Sequence, residues 1–170
     1  MTKYKKKLCI YFIVNVLLVI GLVTIYVNKS RQDKYILKFA IYPVSSLSTS
    51  YYILLDKDGI LTCSKGERKN NDIRTRKFLR YTYASECIKL EESEFEKLIE
   101  LLDSASKSSF KSDKRVFYDS HDILLLINRK QYKFNYHFNN APESLIELRD
   151  LIINLSPIPV EMRGWRPIEK

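Results

Sequence analysis

Three neighbouring side chains in this 170-residue chain have the types needed for acid–base or metal chemistry. Asp119, His121 and Asp122 place one imidazole beside two carboxylates, a combination that can support hydrolysis or metal binding. The same residues fall between two predicted strands, where a polar turn is expected. The sequence has no G-x-S-x-G, no glycine-rich phosphate loop and no H-E-x-x-H motif. We therefore expect a protein that is not an enzyme, and a hydrolase built on these residues is the third of three functional hypotheses.

Metal and cofactor binding are not expected either. Two histidines and no Cys/His spacing argue against a zinc site. Asp56 and Asp58 precede Gly59, but a calcium-binding loop needs its glycine at position 6 and an oxygen ligand at position 5. In this chain Gly59 is at position 4 and Ile60 at position 5. These residues predict the turn of a β-hairpin, because Asp and Gly tolerate the positive φ that such a turn requires.

Cys63 and Cys87 form a candidate disulfide. They fall in two predicted strands and would close a loop of about 25 residues, a constraint that stabilises a fold by about 3 kcal/mol through the unfolded state. An oxidising location would favour the bond. The alternative is a pair of small buried thiols.

A basic stretch lies between positions 65 and 80, where seven Lys or Arg residues face two acidic residues. The candidate ligand-binding residues are Lys65, Arg68, Lys69, Arg74, Arg76, Lys77 and Arg80, and Tyr81 and Tyr83 follow them. Basic side chains interleaved with aromatic ones can bind nucleic acid, anionic lipid headgroups or an acidic cell-surface polymer. The alternative is a solvated loop with no specific ligand.

The C-terminal tail contains the only tryptophan, Trp165, among several prolines. Its ring is predicted to dock back on the domain or to contact a protein partner.

The clearest pattern is the uncharged, largely apolar run of residues 8–27. As a helix it would rise roughly 30 Å, the thickness of a hydrocarbon core, so it predicts an anchor in the lipid bilayer. A cleaved signal peptide is the alternative, but the run is longer than a usual apolar signal region and no A-x-A-like site follows. Four lysines precede the run, against two Lys and one Arg just after it. The positive-inside rule therefore predicts a cytoplasmic N-terminus and an extracytoplasmic domain, which argues against nucleic acid as a partner.

The composition is that of a globular protein. Hydrophobic residues make up 45% of the chain, too many for a disordered protein, and three cysteines are too few for a disulfide-built scaffold. The predicted organisation is a basic cytoplasmic head (1–7), the transmembrane anchor (8–27), a juxtamembrane stalk (28–33), a soluble α+β domain (34–157) and an extended tail (158–170).

Strands are predicted where apolar, aromatic and β-branched residues run or alternate, and helices where apolar residues recur every three or four positions. The predicted strands are 35–42, 51–55, 60–64, 78–90, 123–127 and 131–138, and the predicted helices are 92–105 and about 142–155. Residues 51–105 and 122–156 share the order hairpin then amphipathic helix, a repeat of pattern rather than of residue identity. This order predicts one antiparallel sheet with both helices on one face.

The leading functional hypothesis is a single-pass, membrane-anchored extracytoplasmic domain that acts as a non-enzymatic binding or accessory module for an unknown protein. The second hypothesis keeps that location and makes the basic stretch 65–80 a site for anionic lipid or a cell-surface polymer.

Overall fold

A computed structural model describes residues 12–23, 34–45, 49–75, 77–111, 120–136 and 141–162. The chain divides into two compact units, Met1–Lys34 and Tyr35–Lys170.

The described part of the first unit is one exposed helix, α1, at residues 12–23. Among the described residues, no helix has the length and apolar character needed to cross a membrane. The predicted transmembrane anchor at 8–27 is therefore not supported. The membrane localisation and the topology that were inferred from this anchor are not supported either.

The second unit is an α+β domain with one six-stranded antiparallel sheet. In chain order its elements are β1 (Tyr35–Pro43), β2 (Thr49–Asp56), β3 (Ile60–Arg68), β4 (Leu79–Lys89), α2 (Glu92–Ser106), β5 (His121–Ile127), β6 (Lys130–Asn135) and α3 (Glu143–Asn154). The strands lie side by side in the order β4-β3-β2-β1-β5-β6. The predicted α+β class and the antiparallel sheet are thus confirmed.

The central strand, β1, is buried on both sides. Phe39 lies between Ile53 of β2 and Leu125 of β5, and the neighbouring Ala40 lies between Tyr52 and Leu124. Because successive side chains point to opposite faces of a sheet, these two rows define its two faces. We call the side of Phe39 the helix face and the side of Ala40 the loop face.

Both long helices of the domain pack on the helix face, as the apolar spacing predicts. Leu98 and Leu102 of α2 and Leu148 and Ile152 of α3 are buried there. A capping box between Glu91 and Glu94 begins α2 and satisfies backbone amides that have no partner within the helix. The main core of the domain therefore lies between this face and the two helices.

Tight turns set the register of both hairpins. In the β2–β3 turn, Gly59 has a φ of 75°, and Asp56 Oδ1 accepts hydrogen bonds from the amides of Asp58 at 3.0 Å and Ile60 at 2.9 Å. The predicted hairpin is confirmed, and this carboxylate oxygen is engaged by the backbone of its own turn. In the β5–β6 turn, Asn128 and Arg129 have φ values of 47° and 69°, the sign that a two-residue type I′ turn requires.

Replacing Arg129 with glycine should raise the free energy of unfolding by about 0.5 kcal/mol, because Asn-Gly is the preferred pair for this turn and Gly has no Cβ penalty at positive φ. Chemical denaturation of the variant and the parent protein measures the difference. Arg129→Ala is the matched control, since it removes the same side chain but keeps the Cβ. A gain in stability for the alanine variant equal to that of the glycine variant would contradict this account of the turn.

The segment after α3 also packs on the helix face. Ile158 is buried there, and the Glu161 amide donates a hydrogen bond to the Tyr51 hydroxyl at 3.0 Å. These contacts extend the ordered packing to Met162, five residues past the predicted domain end at 157. Trp165 lies outside the described residues, so its predicted docking stays a prediction.

Candidate functional site: the loop face of the sheet

The loop face is partly covered by the connection between β3 and β4, residues 69–78, which we call the cover loop. Its two buried apolar residues, Ile73 and Phe78, sit against Tyr42 and Tyr52 of the sheet. The Phe78 ring centroid lies 5.3 Å from that of Tyr52 and 6.1 Å from that of Tyr42. The Tyr52 hydroxyl donates to the Ile73 carbonyl oxygen at 3.3 Å. The cover loop is therefore a packed part of the domain.

Two of the seven predicted basic ligand-binding residues, Arg68 and Lys65, contact other residues of the domain. Arg68 is only 6% exposed, and its guanidinium carbon lies 4.1 Å from the centre of the Tyr42 ring. It also donates a hydrogen bond to the Asn71 side chain. Lys65 points to the helix face and forms a 3.1 Å ion pair with Glu161, a hydrogen bond that raises the pKa of Lys65. Both side chains are thus engaged by other residues of the domain.

Four of the remaining predicted basic residues are exposed on the cover loop and the start of β4. They are Lys69, Arg74, Lys77 and Arg80. Among the described residues, no carboxylate oxygen lies within 4.0 Å of their charged nitrogens. Arg76 lies outside the described residues. The described part of the basic stretch therefore presents four exposed cations that form no ion pair with a described carboxylate.

Next to these cations, β4 exposes two tyrosines at the edge of the sheet. Tyr81 is 54% exposed and Tyr83 is 64% exposed. The Arg80 guanidinium carbon lies 5.2 Å from the centre of the Tyr81 ring, within the range of a cation–π contact. Cationic and aromatic surface are thus combined on one strand.

Elsewhere on the loop face, a buried polar cluster joins residues of β1, β3, β5 and β6. Lys133 of β6 forms an ion pair with Asp122 of β5, with 2.7 Å between Nζ and Oδ2. The side-chain nitrogen of Asn135, Nδ2, lies 3.4 Å from the other carboxylate oxygen of Asp122, Oδ1. Tyr42 lies between Asp122 and Arg68 and interacts with both. Burial is the main cause that raises the pKa of Tyr42 well above its usual range, and Asp122 adds to it. The raised pKa keeps the Tyr42 hydroxyl protonated.

Of the predicted Asp119–His121–Asp122 group, the two described residues are not brought together as a site. His121 and Asp122 are consecutive residues of β5, so their side chains point to opposite faces of the sheet. Asp122 is engaged by Lys133, and Asp119 lies outside the described residues. Among the residues that are described, no group of three His, Cys, Asp or Glu side chains could hold a metal ion.

The candidate disulfide between Cys63 and Cys87 is not formed, and both are free cysteines. Cys63 pairs in register with Glu86, whereas Cys87 pairs with Thr62. The two cysteines are therefore offset by one residue on adjacent strands, which places them on opposite faces of the sheet. Cys63 is buried on the helix face, where desolvation raises the pKa of its thiol, and Cys87 is exposed.

Beside the cover loop, the loop face contains an open pocket of about 250 Å³. Its lining is Tyr35, Lys38, Tyr52, Leu54, Ser64, Leu79 and Thr82. Lys38 is only 7% exposed, and its ammonium group donates to the Arg74 carbonyl oxygen at 2.9 Å. The sequence prediction missed this pocket. Its one signal was Lys38 itself, the single charge inside the otherwise apolar strand YILKFAIY.

No protein-family model matches the chain, and no curated protein is significantly similar to it. The function must therefore be argued from the geometry of the loop face.

Proposed function

We propose that the domain is a non-enzymatic binding module that holds an anionic polymer on the surface formed by the cover loop and the start of β4. The observation that supports this proposal is the set of exposed cations at Lys69, Arg74, Lys77 and Arg80, with no carboxylate within 4.0 Å among the described residues. Such a set attracts a polyanion, because binding releases the counterions condensed along the polymer.

The cations elsewhere in the domain are arranged differently. Lys65, Lys107, Lys133 and Arg149 each form an ion pair with a nearby carboxylate. Exposed lysines such as Lys57 in the β2–β3 turn and Lys97 in α2 stand apart from one another in the fold. The cover loop and the start of β4 thus form one described region where exposed positive charge accumulates without a carboxylate partner in the described residues.

The cover loop also holds its cations in place. The Lys69 amide donates to the Phe78 carbonyl oxygen at 2.8 Å, and Ile73 and Phe78 are fully buried beneath the loop. A surface fixed before binding loses less conformational entropy when the ligand arrives. The packing of the loop therefore favours a binding role for the charges it carries.

The exposed rings of Tyr81 and Tyr83 distinguish two kinds of polyanion, those with planar bases and those without. Bases of a single-stranded nucleic acid stack on exposed aromatic rings with about 1–3 kcal/mol per base, whereas a polymer without planar groups gains only from the charges. The expectation against nucleic acid came from the predicted extracytoplasmic location, which rested on the unsupported anchor. A single-stranded oligonucleotide is therefore one of the probes in the test.

Replacing Lys69 and Lys77 with glutamine should weaken polyanion binding and flatten its salt dependence. For a single strand, each cation contributes about 0.7 to the slope of log K against log salt, so the double variant should lose about 1.4. Fluorescence anisotropy with labelled polyphosphate and with a labelled single-stranded oligonucleotide, over a series of salt concentrations, measures both quantities.

The matched control is Lys57→Gln with Lys97→Gln, which removes the same charge elsewhere. Its slope should equal that of the parent protein for both probes. Equal losses in the two double variants would mean that net charge alone drives binding, and the proposal would fail. A further double variant, Tyr81→Ala with Tyr83→Ala, should weaken only the oligonucleotide if bases stack on β4.

A further inference from the structure

The pocket beside the cover loop has a composition that selects the charge of a ligand. Seven described residues line it, and none of them is acidic. Its one charged residue is Lys38, while Ser64 and Thr82 are its hydroxyl-bearing residues and Leu54 and Leu79 its leucines. A lining with one cation, hydroxyl donors and no carboxylate is complementary to a single negative charge.

The position of Lys38 is unusual for a lysine. It lies on the central strand, and its neighbours in register are Leu54 of β2 and Leu126 of β5. Burying a cation among leucines costs free energy even when the ammonium is hydrogen-bonded, and an apolar side chain would fit this row without that cost. Departures of this kind from the apolar pattern of a strand occur preferentially at functional sites.

The size and donors of the pocket narrow the ligand further. A volume of about 250 Å³ is below the usual 300–1,000 Å³ of drug-sized sites, so the ligand is small. Phosphate groups are typically bound by arginine forks or several backbone amides, whereas a single ammonium acts as a point charge. The rings of Tyr35 and Tyr52 and the two leucines favour an apolar body.

From this geometry we infer that the loop-face pocket binds a small organic carboxylate, with Lys38 as the partner of its charge and the leucines and tyrosines around its apolar part. This inference does not rest on polyanion binding by the cover loop. The exposed cations lie on the surface of the protein, whereas Lys38 lies within the sheet.

Benzoate is the probe, and benzyl alcohol is its neutral analogue of similar size. Titration of the ¹⁵N-labelled full chain should shift the amides of Lys38, Leu54, Ser64 and Thr82, with a Kd of about 1 mM or below for benzoate. Lys38→Met keeps the length of the side chain and removes the charge, so benzoate should bind at least tenfold more weakly and benzyl alcohol with unchanged affinity. Thr82→Phe, on the edge strand, should fill the pocket and weaken both probes.

Two controls separate this site from the surface of the cover loop. Lys57→Met removes an exposed charge and should leave benzoate binding unchanged. The double variant Lys69→Gln with Lys77→Gln should also leave benzoate binding unchanged, so a loss of polyanion binding and a loss of benzoate binding are distinguishable. Failure of benzoate to saturate the parent protein, equal benzoate affinity in Lys38→Met, or stronger binding of inorganic phosphate than of benzoate would each overturn the inference.

Discussion

Phe78→Ala should lower the free energy of unfolding by about 3–5 kcal/mol, the usual cost of removing a fully buried phenylalanine ring. Phe78 has no exposed surface, and it fills the space between the cover loop and the rings of Tyr42 and Tyr52. Without this ring the loop loses its largest apolar anchor. Chemical denaturation measures the stability, and hydrogen exchange of the amides in 69–78 measures the order of the loop.

The same variant connects stability with the proposed function. It removes no charge, yet polyanion binding should weaken because the cations then sit on a loosened loop. Phe110→Ala is the matched control, since Phe110 is half-buried on the helix face, where it packs edge-on against Phe134. It should cost less stability and leave the amide exchange of 69–78 unchanged. An unaltered exchange pattern in Phe78→Ala would show that the ring does not hold the loop.

Gly66→Ala should cost about 3 kcal/mol, the upper part of the range for overpacking, because the new methyl group meets backbone. A Cβ at this position would lie 2.0 Å from the Tyr81 carbonyl oxygen and 3.0 Å from the Thr82 Cα. Backbone atoms cannot rotate away as the end of a side chain can. The β3–β4 pairing must therefore open next to its bulge, where the register shifts between Lys65 and Gly66.

Gly59→Ala provides the comparison for this prediction. The Cβ at position 59 would meet the flexible ends of Phe95 and Lys89 at 3.3–3.4 Å, so its main cost is the positive φ, about 1–2 kcal/mol. Thermal and chemical denaturation of both variants rank the two costs. If Gly66→Ala proved the milder change, the close approach of β3 to β4 at Tyr81 would be wrong.

Local periodicity predicted the elements of the domain well because each element has one apolar face. The helix expected at 92–105 is observed as Glu92–Ser106, and the strand expected at 35–42 is observed as Tyr35–Pro43. The hairpin at Gly59 followed from turn chemistry alone. The hydropathy of residues 8–27 predicted structure less well than the periodicity of the domain did, since apolar character alone does not specify a membrane-spanning helix.

The candidate site was predicted only in part, because it depends on contacts distant in sequence. The basic stretch drew attention to residues 65–80, but nothing local showed that Arg68 would be buried against Tyr42, 26 positions earlier. Ile73 and Phe78 are isolated apolar residues in a charged segment, so no period revealed that they cover the sheet. Asn135 is buried beside Asp122, a contact that depends on the pairing of β5 with β6. The predicted disulfide is not formed because Cys63 and Cys87 are one residue out of register on adjacent strands. The register is determined by the pairing of the whole strands, which the local sequence does not show.

The place of β1 at the centre of the sheet has a consequence for the order of events during synthesis. β1 is the first strand of the domain to leave the ribosome, and its neighbour β2 follows at once, but its other neighbour, β5, ends 84 residues after β1 does. At about 5–20 residues per second, β5 is complete roughly 4–17 s later. During that interval one edge of an apolar strand, carrying Leu37, Phe39 and Ile41, has no partner from its own chain. The nascent domain is therefore most prone to aggregate after β2 is complete and before β5 is synthesised. During this interval the apolar edge of β1 that later pairs with β5 is unpaired.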